Sequence, residues 1–110
     1  MKTIFFAALA GLSASLATPA SAQQTVTLEV SVKDNRFEPS ELRAPANTGI
    51  SIRIKNLGAK PVEFESKSLR VEKVIGAKQE GVVRVRPLAP GRYEFFDEFN
   101  ERNRGFLVVQ

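Results

Sequence analysis

Short runs of alternating hydrophobic and polar residues recur along most of the chain. In residues 26–33, valine or leucine occupies every even position and a polar residue every odd one. Residues 50–55 repeat this pattern with isoleucine at each even position. A period of two residues is typical of a half-buried β-strand. Comparable runs predict further strands over residues 62–65, 69–75, 83–86, 92–96 and 106–109.

Turn-forming residues separate these runs. Asn47-Thr48-Gly49, residues 56–61, residues 87–91 and Asn103-Arg104-Gly105 combine Asn, Gly or Pro in the manner of turns. Residues 37–42 are predicted to be an extended crossing segment, because Pro39 cannot donate to a strand ladder. No convincing helical pattern is present. About seven short strands at this spacing predict one all-β domain, a Greek-key antiparallel β-sandwich.

The N-terminal segment MKTIFFAALAGLSASLATPASA has a different character. It starts with Lys2, continues with an apolar stretch over residues 4–16 and ends in Ala20-Ser21-Ala22. This order is that of a secretory signal peptide with an A-x-A cleavage site. The apolar stretch is short for a membrane span and is interrupted by Gly and Ser. We therefore expect a signal peptide at residues 1–22, a single domain at residues 23–110 and a periplasmic location.

The composition excludes several kinds of chemistry. The sequence contains no His, no Cys and one Met, which is the initiator. Nucleophilic sites of the Ser-His-Asp or Cys-His type are therefore impossible, and so is a Cys/His zinc site. Any bound metal must be held by oxygen. The net charge is +4, but basic and acidic residues are interleaved, so no coherent face for nucleic acid is predicted.

Three segments carry a family resemblance. VSVKDNRFEPSELRAPANTGISIRIKN resembles the opening of small periplasmic cupredoxin-like domains. PVEFESKSLRVEKV, followed by LAPGRYEFFDEFNERNRGFLVV, is similar to one branch of that family. This branch comprises the cupredoxin-like proteins of bacterial ferrous-iron uptake systems, which are related to the N-terminal domain of EfeO. The resemblance implies a cupredoxin-like sandwich that works with an inner-membrane iron permease and other periplasmic uptake components.

The resemblance also implies where a metal would bind. It indicates Glu63 as one ligand position and Asp97 as the counterpart of another, with Glu65, Glu72 and Glu98 as further members. Phe37 stands where some relatives have a ligand, and the segment after Glu98-Phe99 continues with Asn100-Glu101 where relatives often have His-Pro. Considered alone, Glu63 and Glu65 lie about 7 Å apart on one side of a strand, an arrangement that usually indicates a solvated face.

These observations predict a metal-handling component of ferrous-iron transport that binds iron or copper through carboxylates. Blue-copper chemistry is excluded, because that site needs His and Cys ligands. Clustered carboxylates favour Fe(III) over Fe(II), so ferrous oxidation is the only enzymatic activity that the sequence suggests. A metal-free periplasmic accessory or interaction module of the same fold is the alternative.

Overall fold

The computed structural model describes residue 3, residues 10–13 and residues 24–110. Most of the predicted signal peptide lies outside the described residues. Residues 24–110 form nine strands: β1 (Thr25–Lys33), β2 (Arg36–Glu38), β3 (Glu41–Ala44), β4 (Gly49–Asn56), β5 (Val62–Ser66), β6 (Val71–Ile75), β7 (Glu80–Val85), β8 (Gly91–Asp97) and β9 (Asn100–Val109). The described residues include no helix, and thus none with the length and apolar character of a membrane span. The all-β prediction is confirmed.

The strands build two facing sheets. The first has the order β2-β1-β4-β7 and the second the order β3-β9-β8-β5-β6. Most neighbours are antiparallel, but β1 pairs with β4 in parallel and β3 pairs with β9 in parallel. The sheets are therefore mixed, which differs from the antiparallel sandwich that the pattern predicts. The segment around Pro39 crosses from β2 in one sheet to β3 in the other, as its extended character predicts.

The core lies between the two sheets and is filled by the inward parity of each strand. Ile52 and Ile54 of β4 are fully buried, and so are Phe64 of β5 and Phe95 of β8. Three phenylalanine rings form its centre. Phe95 lies 5.0 Å from Phe37 and 5.0 Å from Phe64, measured between ring centroids. Phe37, which the resemblance placed at a ligand position, thus belongs to the core.

The predicted turn at Asn103-Arg104-Gly105 is wrong. β9 continues through these residues without a break, from Asn100 to Val109. A Cβ atom on Gly105 would overlap the ring of Phe95 and would lie 2.9 Å from the main-chain oxygen of Ser40. Gly105 is required because the core ring and the crossing segment approach the strand closely, and no turn is involved.

Candidate carboxylate site

The outer face of β5 carries two of the predicted ligands. Val62, Phe64 and Ser66 alternate inward and are buried, so Glu63 and Glu65 point outward and are half-buried. This alternation follows directly from the period of two residues in the sequence. The structure therefore places both glutamates on one face of the same strand, as predicted.

Two more glutamates join them from the neighbouring strands. Glu72 of β6 is the register partner of Glu65. Glu98 follows β8, and its main-chain amide donates to the main-chain oxygen of Glu63 at 2.9 Å. The four glutamates thus occupy adjacent positions on three neighbouring segments of one sheet. We call Glu63, Glu65, Glu72 and Glu98 the acidic patch.

Hydrogen bonds between carboxyl groups, partial desolvation and mutual repulsion raise two pKa values in the acidic patch. The pKa of Glu63 is raised from 4.5 to about 7, first by a hydrogen bond shared with the Glu72 carboxyl group. Partial desolvation and the negative charges of Glu72, Glu65 and Glu98 act in the same direction. The pKa of Glu65 is raised chiefly by a hydrogen bond with Glu98, and Lys67 partly opposes this shift. The acidic patch therefore holds negative charge that its surroundings do not fully neutralise.

Asp97 has a different position from the acidic patch. It is the register partner of Phe64, so its side chain shares the inward face, and only 5% of the residue is exposed. Its Oδ1 atom accepts hydrogen bonds from the main-chain amides of Glu63 and Phe99, both at 3.0 Å. Asp97 thus meets Glu63 through the main chain. Its carboxylate joins the end of β8 to β5 by accepting the hydrogen bond from the Glu63 amide.

The acidic side chains do not form a closed ligand set in this arrangement. Within residues 24–110 and the few described residues before them, no three His, Cys, Asp or Glu side chains are arranged to hold a metal ion. The ligand roles of Glu63, Asp97, Glu65, Glu72 and Glu98 stay predictions.

An aromatic side chain and a cationic side chain, Phe96 and Arg104, lie beside the acidic patch on the β8 and β9 side. Phe96 is the register partner of Glu65 on β8, and Arg104 of β9 lies over its ring at 5.1 Å from the centroid. Arg104 also forms an ion pair with Glu94. The sequence pattern did not indicate this contact between Phe96 and Arg104, because it did not predict that residues 100–104 continue strand β9. Phe96 carries no polar signal that would have indicated it.

The donor set does not fit a blue-copper centre. Such a centre needs two imidazoles, a thiolate and a weak axial thioether or amide. The chain has no His and no Cys, and its single Met is residue 1. The core beside Asp97 instead contains its register partner Phe64, which packs against Phe37 and Phe95, and none of these three rings can ligate a metal.

Comparisons with known proteins address the fold and the family. The model of a family described as the cupredoxin-like domain matches residues 4–109. The uncharacterized protein RP394 of Rickettsia prowazekii (strain Madrid E) is 32% identical over 83 residues. The aligned region covers 74% of this chain and 66% of that protein, slightly under two thirds of the relative's length.

Solved structures show the same architecture at low identity. The metal binding domain of the Cu(I)-exporting P-type ATPase CopA from Streptococcus pneumoniae D39 has a TM-score of 0.69 and 16% identity, covering 81% of this chain and 89% of that one. Auracyanin A, a blue copper protein from Chloroflexus aurantiacus, has a TM-score of 0.67 and 17% identity, with coverage of 78% and 99%. At these identities the likeness establishes the fold alone.

Proposed function

The chain belongs to the cupredoxin-like domain family, and from this premise we propose that it is a periplasmic metal-handling protein that carries iron on the acidic patch. Copper in its divalent form is the other ion that we include. The ion is cargo in this proposal, held by carboxylate oxygens alone. The single observation that supports it most is the placement of Glu63, Glu65, Glu72 and Glu98 at adjacent positions of one sheet, because a multivalent cation would relieve the repulsion among these carboxylates.

The chemistry of the donors favours hard cations. Carboxylate oxygens suit Fe(III), Mn(II) and Ca(II), whereas Cu(I) prefers thiolate and thioether sulfur. An all-carboxylate site also binds Fe(III) more strongly than Fe(II), because the attraction grows with the charge of the ion. In the presence of dioxygen as the electron acceptor, such a site would therefore favour oxidation of Fe(II) before release.

The location and the partner of the protein extend this proposal. The signal-like segment over residues 1–22 supports export to the periplasm. The similarity of segments 61–74 and 88–109 to proteins of ferrous-iron uptake supports an inner-membrane iron permease as the recipient. The relation to EfeO and to iron uptake rests on these motifs.

Isothermal titration calorimetry with the purified protein tests the proposal. Fe(II) under anaerobic conditions, Mn(II) and Cu(II) are each titrated into the unsubstituted protein, which is called the parent below. The same titrations are repeated with the variants Glu63→Gln and Glu65→Gln, and with Glu29→Gln as a control. Glu29 is exposed on β1 of the other sheet and paired with Arg53, so it is remote from the acidic patch. We expect binding that both patch variants weaken and the control retains. If no ion binds below about 1 mM, the proposal is wrong, since extracellular oxygen sites reach that affinity.

A metal-free interaction module is the second candidate. The observation that favours it is Phe99, which exposes 56% of its surface in the turn between β8 and β9. It lies in a groove of about 540 Å³ with Pro61 and Val62. An exposed aromatic residue beside a groove is typical of a protein contact. If the calorimetric titrations detect no binding of any metal ion, the interaction module becomes the better-supported function.

A further inference from the structure

Strand β7 is the last strand of the first sheet, and one of its edges is open. It pairs with β4 alone, and no main-chain hydrogen bond joins its other edge to a residue that the structure describes. A Cβ atom on the inward-facing Gly81 would meet the side chains of Ile75 and Lys73, so β6 of the second sheet packs on the inner side of β7. β6 forms no ladder with the open edge. An open edge of this kind can pair with a strand of another chain.

The register of the β4–β7 ladder shows which residues face the open edge. The main-chain amide of Asn56 donates to the main-chain oxygen of Gln79 at 2.9 Å, so these two residues form a hydrogen-bonded pair just before β7 begins. Hydrogen-bonded and non-bonded pairs alternate along an antiparallel ladder. Glu80, Val82 and Arg84 therefore direct their main-chain N–H and C=O groups away from β4 and toward the open edge.

The side chains of the same three residues are exposed on the outer face of the sheet. Val82 exposes 45% of its surface. Arg84 forms no ion pair with any residue that the structure describes, and Glu80 has only a long contact with Lys55, at 3.8 Å. An acid, an apolar residue and a base thus follow one another in this row. When two such rows pair in antiparallel directions, the apolar residue meets its own copy and each charge meets the opposite charge.

We propose that β7 joins two copies of this chain, edge to edge and antiparallel, about a two-fold axis at Val82. In this register Val82 opposes Val82 of the second copy, and Glu80 opposes Arg84 in both directions. All three edge-facing residues then exchange main-chain hydrogen bonds with the second copy, about six in total. A shift by two residues would place Val82 opposite Glu80 or Arg84 and would separate the opposite charges. The contact uses the same surface on both copies, so it closes at a dimer.

Sedimentation equilibrium of the purified protein tests this dimer. The dimer is independent of cation binding, because β7 lies in the first sheet and the acidic patch in the second. We expect a monomer–dimer equilibrium with a dissociation constant below about 100 μM, since the contact of one strand edge is at the weak end of specific interfaces. Amide hydrogen exchange is followed by nuclear magnetic resonance at low and high protein concentration. Exchange at Glu80, Val82 and Arg84 should slow as the dimer forms.

Charge reversal tests the register. Glu80→Arg and Arg84→Glu each place like charges opposite one another, so each variant alone should dimerise at least about tenfold more weakly than the parent. A mixture of the two variants should recover the affinity of the parent as a mixed dimer, because every charge then meets its opposite. Arg43→Glu is the control with the same change in charge as Arg84→Glu. Arg43 is exposed on β3 of the other sheet and paired with Glu41, so this variant should dimerise like the parent.

Four results would overturn the proposal. A parent protein that stays monomeric up to about 1 mM excludes the dimer. A dimer that both charge reversals leave unchanged uses another surface. Failure of the mixture to recover the dimer, or unchanged amide exchange at Val82, excludes the pairing about Val82.

Discussion

The carboxylate of Asp97 meets Glu63 through the main chain: Oδ1 accepts the Glu63 amide hydrogen at 3.0 Å, while the Glu63 side chain points to the opposite face of the sheet. The same oxygen accepts the Phe99 amide hydrogen, so one buried atom fixes both β5 and the turn after β8. This turn carries Glu98, the neighbour of Glu63 in the acidic patch. Asp97 therefore holds two members of the acidic patch side by side.

Asp97→Ala should lower the free energy of unfolding by about 2–3 kcal/mol, because it leaves two partly buried amide donors without their acceptor. Asp97→Asn retains a side-chain oxygen at the same position and should stay within about 1 kcal/mol of the parent. Urea denaturation measures both values. Asp97→Asn also separates the two roles of this residue: a metal ligand would lose ion affinity on this change, and a positioning residue would keep it.

The pH dependence of stability should follow the pKa of Glu63. This pKa is about 7 in the folded protein against 4.5 for an unperturbed glutamate. Between these values the folded state binds more protons than the unfolded state, so this group lowers stability progressively as the pH rises from 4.5 to 7. Glu63→Gln removes this pH-dependent loss of stability, because glutamine does not ionise. Thermal melts should show the variant above the parent at pH 8 and equal to it at pH 4.

Glu29→Gln is the matched control for that comparison. Glu29 forms an exposed ion pair with Arg53, which contributes at most about 1 kcal/mol. Its replacement should therefore give no gain in melting temperature at pH 8. A gain of the same size in both variants would attribute the effect to net charge and would contradict a specific contribution from the acidic patch.

Gly105→Ala should lower the free energy of unfolding by about 2–3 kcal/mol, because the added methyl group overlaps the Phe95 ring and approaches the Ser40 oxygen. Gly91→Ala is the control: its Cβ atom would come no closer than 3.4 Å to Tyr93, an ordinary contact. Gly91 is exposed at the start of β8, so this change should be nearly neutral. Chemical denaturation compares the two, and equal costs would argue against close packing at Gly105.

The sequence predicted much of this fold because strand alternation is a local property. The alternation places Ile52 and Ile54 inward and sets Phe64 against Glu63, and each side chain lies on the face that this parity predicts. The parallel pairing of β1 with β4 was not predictable, since a parallel and an antiparallel strand share the same period of two residues.

The composition of the acidic patch depends on contacts that are remote in sequence. The pairing of Glu65 with Glu72 follows from a hairpin register, and the meeting of Glu63 with Glu98 follows from the pairing of β5 with β8. Asp97 shares its parity with Phe95 and faces inward. Its two amide partners were not predictable, because Glu63 lies 34 residues away along the chain. The role of Gly105 was missed for the same reason, since glycine marks turns and close contacts alike.

Cation binding to the acidic patch should stabilise the folded protein in a pH-dependent manner. An ion that binds only the folded state raises the free energy of unfolding by about 2.7 kcal/mol at one hundred times its dissociation constant. Mn(II), which stays divalent in air-saturated buffer, should therefore raise the melting temperature of the parent by several degrees at pH 8. The rise in melting temperature should be much smaller at pH 5, where the proton retained by Glu63 competes with the ion.

Two variants test whether the ion acts at the acidic patch. Mn(II) should no longer raise the melting temperature of Glu63→Gln at pH 8, whereas it should still raise that of Glu29→Gln. An equal rise at both pH values, or in both variants, would show that Mn(II) acts at sites outside the acidic patch.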